Sequence, residues 1–158
     1  MLEHIEKPAF SAELEARLQL VADSFHRLTG RTLVEPSRDE TLTDALWNAP
    51  RAILAHGTEA DPVFFYGNRL TLQLFELDFV TFTELPSRFS AEPLAREARA
   101  KLLKRVTQHG YIDDYSGVRI SSSGQRFLIE RVTVWNLLDA TGNHHGQAAT
   151  FTDWTSMP

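Results

Sequence analysis

Residues 111–154 read YIDDYSGVRISSSGQRFLIERVTVWNLLDATGNHHGQAATFTDW, and the fold turns on how this stretch divides. Ser122-Ser123-Gly124-Gln125 and Asp139-Ala140-Thr141-Gly142-Asn143 are rich in turn residues, whose glycines and side-chain oxygens favour tight reversals. They leave three strands, Tyr111 to Ser121, Phe127 to Leu138 and His145 to Trp154. Links this short pair strands antiparallel. The middle strand carries apolar residues in both alternating sets. Phe127, Ile129, Trp135 and Leu137 form one set, and Leu128, Val132, Val134 and Leu138 form the other. A strand that is apolar on both faces must be covered on both. The expectation is a sheet walled by helices front and back.

Upstream, Ser11 is placed to cap a helix along which Leu14, Leu18, Val21, Phe25 and Leu28 recur at spacings of four and three, one narrow apolar stripe. Gly30 suits a left-handed end to it. Thr41 to Asn48 reads as a short helix stopped before Pro50, and Arg51 to His56 and Val63 to Tyr66 as two strands joined by a turn-rich segment. Asn68 caps a helix beginning at Arg69; Thr81 to Arg88 reads as short helical turns. The longest helix runs from about Leu94 to His109, with Leu94, Ala98, Leu102, Leu103 and Val106 as its apolar face. Helix, two strands, several helices and three strands make an α+β chain with an antiparallel sheet. The expected organisation is a flexible N-terminus over residues 1–10, a flanking helix over 11–30 and a folded domain over 41–155.

Composition removes several function classes. Acidic residues outnumber basic ones, 21 to 16, for a net charge of −5. Phosphate neutralisation calls for a basic face, and the densest basic stretch, Arg96 to Arg105, reads as a solvated helix face. No nucleic-acid partner is expected. Without cysteine there is no disulfide, thiolate metal site, cysteine nucleophile or thiol-linked flavin photochemistry. The amino terminus lacks a signal peptide and no apolar run is long enough for a bilayer, so neither a membrane partner nor a location outside the cytoplasm is expected.

Local sequence then points to a family. Val63-Phe64-Phe65-Tyr66-Gly67-Asn68 resembles the PAS pattern of an apolar strand ending in a helix-capping asparagine, and the Asp139 to Asn143 turn before the last strand resembles the PAS ending. His56 to Pro62, Leu85 to Pro93 and Gly110 to Ser121 resemble the bacterial, stand-alone MEKHLA family more closely. The final strands, with Val134-Trp135 and Phe151-Thr152-Asp153-Trp154, are also similar to the domain that ends plant homeodomain-leucine zipper proteins. The resemblance implies a PAS-like fold: a five-stranded antiparallel sheet with helices on one face and an N-terminal helix on the other. It implies no established activity or cofactor.

No metal site is expected: His144 and His145 are adjacent and point to opposite faces of a strand, and no histidine pair has zincin spacing. His56 is the one position weighed for haem, since some PAS domains hold haem through a single histidine; a hydrogen-bonded surface role is the plainer account. Ser121-Ser122-Ser123-Gly124 lacks the preceding glycine of a serine elbow, and Asp113-Asp114 reads as a solvent-facing pair. No catalytic residue is assigned, and no enzyme is expected. A PAS-like cavity would lie between the sheet and the middle helices. Tyr66, Arg88, Tyr115, Arg119 and Trp135 are the ligand-binding candidates there, with Arg88 and Arg119 as a fork for a carboxylate. The leading expectation is a sensory, ligand-binding regulatory module without an attached output domain. The alternative is a protein-interaction or homodimerisation module with a filled core, joined through Leu14, Leu18, Val21 and Phe25. A small enzyme is the third reading.

Overall fold

Strand β4 (Arg126–Leu138) is the longest element beside the helices and the axis of the structure, a computed structural model that describes residues 5–91 and 93–158, the side chains of 93–96 and 99 excepted. The other elements, in chain order, are α1 (Ala12–Thr29), α2 (Leu42–Asn48), β1 (Ala52–His56), β2 (Phe64–Gly67), α3 (Arg69–Phe75) and α4 (Phe79–Phe82). A 3₁₀ turn (Ser87–Ser90), α5 (Pro93–His109), β3 (Tyr111–Ile120), β5 (His144–Phe151) and β6 (Asp153–Ser156) follow. The strands form one antiparallel sheet in the order β2-β1-β5-β4-β3, in which β6 pairs with β4 beyond the end of β5. This is the expected α+β architecture. The last strand, expected as one piece, is interrupted at Thr152.

One backbone feature sets the faces of β4. Arg131 takes a left-handed conformation, φ 52°, and between Tyr115 and Gly117 the register of β3 against β4 shifts by one residue. A bulge of this kind reverses the side-chain alternation on its far side. Phe127 and Ile129 therefore share a core with Val132 and Val134, while Trp135 and Leu137 face the other way. The sets read from strict alternation are corrected accordingly. A second register shift, at Asp113-Asp114 of β3, leaves both carboxylates exposed.

The two faces carry two cores. One is Leu54, Phe64, Phe75, Leu102, Ile129 and Val134 with their neighbours, between the sheet and the layer of α3, α4 and α5. The other is Leu18, Val21, Phe25, Ile53, Tyr66 and Trp135 with theirs, between the sheet and α1. Ser11 caps α1 by accepting from the Leu14 amide, and Gly30, φ 73°, ends it. Ser24 Oγ bridges to the end of β4, donating to Leu138 O at 3.1 Å and accepting from Leu138 N at 3.0 Å. Arg27 donates to the same carbonyl. Asn68 is fully buried and does more than cap α3: its carboxamide also accepts from Ile53 N and donates to Leu46 O and Arg51 O. One side chain thus joins α2, β1 and α3.

Three expectations change here. The apolar stripe offered as a dimer interface is consumed within the chain: Leu18 and Val21 are 0% exposed and Phe25 1%, with the Phe25 and Trp135 rings edge to face at 4.8 Å. In residues 1–10, expected to be flexible, Ile5 and Phe10 pack on the core, the Phe10 ring 6.1 Å from Tyr66 and 5.5 Å from Phe79; residues 1–4 lie outside the described part. On α5, Leu102 and Val106 are buried as expected, Ala98 is exposed, and the Leu94 side chain lies outside the described set.

Because α1 completes its own chain's core, Val21→Asp buries a charge without a partner and destabilises by about 3–5 kcal/mol. Urea titrations at two protein concentrations tenfold apart check this. The loss is the same at both concentrations if the stripe serves only its own chain.

Candidate functional site

A cavity of about 50 Å³ lies between the inner face of the sheet and the layer of α3, the 3₁₀ turn and α5. Its existence follows from the small residues on the central strand. β5 contributes Ala149, paired with Leu54 on one side and Val134 on the other, so the floor is low where larger side chains rise around it. Phe64, Phe75, Leu102, Ile129 and Val134 supply apolar walls. The polar groups are few: Arg119, Tyr115, Ser90, Gln147 and His56. An apolar pocket with sparse convergent polar groups is the usual character of a small-molecule site.

Arg119 and Tyr115 form a fixed pair on β3. The guanidinium donates to Tyr115 Oη at 2.9 Å and to Val118 O at 3.0 Å, and Arg119 as a whole is 8% exposed. The intervening residue on that face is Gly117, and the reason is space. A Cβ there would stand 2.3 Å from Tyr115 Oη and 3.4 Å from Arg119 Nη1. The remaining polar groups bind locally. Gln147 Nε2 donates to Leu103 O, Thr107 Oγ1 and Asn136 Oδ1, and Asn136 Nδ2 donates to Val106 O, so this amide pair straps α5 to the sheet. Ser90 Oγ donates to Ser87 O, and His56 Nδ1 lies 2.9 Å from Gly57 O.

Of the five binding candidates, the structure brings together Tyr115 and Arg119. Tyr66 and Trp135 are on the opposite face, beneath α1. Trp135 is turned there by the Arg131 bulge, and its Nε1 donates to Val21 O at 3.1 Å. Tyr66 is turned there by its pairing with Ala55, an α1-side residue. Arg88 is half exposed, ion-paired to Asp61 at 3.0 Å and stacked over Phe89. The carboxylate fork of Arg88 with Arg119 therefore does not form. Gln147 and Ser90 were missed in the sequence; a lone glutamine between Gly146 and the Ala148-Ala149 pair was the available signal. Ser121 to Ser123 serve as a turn: Ser122 Oγ donates to the Glu76 backbone carbonyl, while hydrogen bonds from Ser123 and Ser121 hold the Glu76 carboxyl below the usual range.

Residues 15–156 match the MEKHLA domain family. The chain belongs to that family. Among curated proteins, the MEKHLA chain is 28% identical over 150 residues to the homeobox-leucine zipper protein ATHB-14 of Arabidopsis thaliana, covering 92% of this chain and 18% of that protein. ATHB-9 of the same plant is 29% identical, covering 73% of this chain and 14% of that protein. HOX9 of Oryza sativa subsp. indica is 26% identical, covering 85% and 16%. The chain thus spans less than a fifth of the length of these relatives. They are plant proteins and do not carry the narrower, bacterial stand-alone assignment expected above.

Solved structures agree on the fold. The PAS domain of a Colwellia psychrerythraea protein superposes with TM-score 0.62 at 12% identity, over 73% of this chain and 92% of that one. The light-state dimer of the fungal blue-light photoreceptor Vivid gives 0.58 at 12%, over 93% and 98%. A light-oxygen-voltage domain studied with a flavin analogue gives 0.53 at 20%, over 76% and 87%. The expected PAS-like fold is therefore correct. The flavin of such domains does not fit here: ligand pockets run to about 300–1,000 Å³, several times this cavity, and the chain has no cysteine for a thiol adduct. A haem on His56 fails on the same volume.

The partner expectation needs correction. Nucleic acid was excluded on charge, yet the relatives are homeobox-leucine zipper proteins, and homeodomains read DNA. A charge of −5 describes this segment alone and says nothing of a basic module elsewhere in a longer protein. The homodimer interface expected at Leu14, Leu18, Val21 and Phe25 is not supported, since Leu18, Val21 and Phe25 are buried within their own chain. Among the described residues no helix is long and apolar enough to cross a membrane.

Tyr66 yields a direct check. Its ring is 0% exposed, burial drives its phenol far above the usual range, and its Oη has no hydrogen-bond partner among the described residues. Removing an unsatisfied buried hydroxyl is neutral or favourable. Tyr66→Phe leaves the urea midpoint unchanged or raises stability by up to about 1 kcal/mol; a loss above that size would mean the hydroxyl is bonded.

Proposed function

We propose that this chain is the input module of a regulatory protein, holding a small ligand in the cavity and transmitting its presence across the sheet. The single observation that carries the reading is the cavity itself, apolar apart from the oriented Arg119–Tyr115 pair and a few locally bonded polar groups. Membership in the MEKHLA family and likeness to PAS domains support a sensing role. The role is binding: Arg119 and Tyr115 hold each other, and the other polar groups at the cavity bond to neighbouring backbone and side chains.

The route outward is short. Val134 lines the cavity, and Trp135, the next residue on β4, points to the other face and donates to the backbone of α1. Ser24 and Arg27 bind the same strand at Leu138. A ligand that displaces Val134 therefore acts on the strand that anchors α1. It can shift α1 only by favouring one position of that helix over another. In relatives that combine this region with a homeobox and a leucine zipper, such a module is suited to report a metabolite's level to the remainder of the protein.

Pressurised xenon tests the reading, since apolar cavities of this kind admit it. Methyl resonances of Leu54, Ile129 and Val134 shift with xenon pressure, and the amides of Val21 and Phe25 respond with the same midpoint. Silent cavity methyls, or a cavity response that leaves α1 untouched, would reject it.

A further inference from the structure

Resting on the cavity as the input site, the geometry points to its ligand: a short-chain monocarboxylate gripped by Arg119. The guanidinium is a permanent cation at the edge of an apolar space, on a residue that is 8% exposed as a whole. Its bonds in the structure go to neutral acceptors, Tyr115 Oη and Val118 O. Among the described residues no aspartate or glutamate pairs with it. A buried charge needs an opposite charge or a full set of hydrogen bonds to be tolerated. Guanidinium has five N–H donors, and two of them are used among the described residues. The free edge of such a fork matches a carboxylate in a bidentate pair.

The pair is fitted rather than incidental. Tyr115 fixes Arg119 from the side, and Gly117 leaves the space that lets the phenol reach it, since a Cβ there would meet Tyr115 Oη at 2.3 Å. The rest of the cavity defines the other end of the ligand. Leu54, Phe75, Leu102, Ile129 and Val134 are apolar, and no second arginine or lysine is among the described lining residues. One anionic head with one apolar tail satisfies this set, and a dicarboxylate leaves its second charge unpaired. Size narrows it further. At roughly 10–15 Å³ per water, a cavity of about 50 Å³ holds a tail of a few carbons, which points to acetate, propionate or butyrate.

The test compares each acid with a neutral partner of the same shape on the 158-residue chain: propionate against propionamide, butyrate against butyramide, with inorganic phosphate as a tailless anion. Methyl chemical shifts of Leu102, Ile129 and Val134 report binding. The expected result is saturable shifts for propionate or butyrate, at least tenfold weaker binding of the amide, and little response to phosphate. Arg119→Met removes the preference for the acid, and Tyr115→Phe, which keeps the ring, weakens it severalfold. Equal binding of acid and amide would overturn the carboxylate assignment and leave the cavity as the input site, as would acid binding unchanged in Arg119→Met. A chain that takes up xenon but no carboxylate overturns this inference alone, whereas one that takes up neither overturns the sensing role as well. The acid-to-amide ratio in the unaltered chain decides the matter even if Arg119→Met does not fold.

Discussion

Strand β4 has no face that water can be left to cover. Phe127, Ile129, Val132 and Val134 lie in one core and Trp135 and Leu137 in the other. Apolar area left wet forgoes roughly 25 cal/mol per Å², so both faces require a lid, and the remaining elements are arranged to supply them. α1 covers one side and the layer from α3 to α5 the other. The change of face at Arg131 is part of the same constraint. With strict alternation Trp135 would stand among the residues of the cavity and fill it. The left-handed residue turns it to α1, and the cavity stays open above Ala149.

Polar groups in this interior are few and mostly committed to holding elements together. Asn68 joins α2, β1 and α3, Ser24 joins α1 to β4, and Gln147 with Asn136 joins α5 to the sheet. Each is buried with its hydrogen bonds made, the condition under which buried polar groups specify a packing rather than oppose it. Arg119 stands apart from them. Among the described residues its hydrogen bonds go to neutral acceptors, Tyr115 Oη and Val118 O, and it lines the cavity.

Likeness to light-oxygen-voltage domains at 12–20% identity is a likeness of backbone path, and fold does not carry chemistry with it. The determinant that differs here is volume. Phe64, Phe75 and Leu102 extend into the space from different elements, leaving room for a few atoms where a flavin needs many. The same architecture here encloses a much smaller space.

The sequence by itself determined the class of fold, the order of elements and the helix starts at Ser11, Thr41 and Asn68, because turns, caps and periodicity are local properties. It also determined that both sheet faces would be covered, since that follows from the composition of one strand. Only the tertiary structure decided which residues meet at the site. Tyr66, Arg88 and Trp135 left the candidate set because strand pairing, a bulge and an ion pair with Asp61 placed them elsewhere. A register shift of one residue exchanges the faces of everything beyond it, and no local pattern around Arg131 announced one. Arg119 and Tyr115 remained legible because they sit two pleats apart on one face of β3, on either side of Gly117. The breadth of the cavity, set by alanines on one strand and large side chains on others, exists only once those strands and helices are brought together.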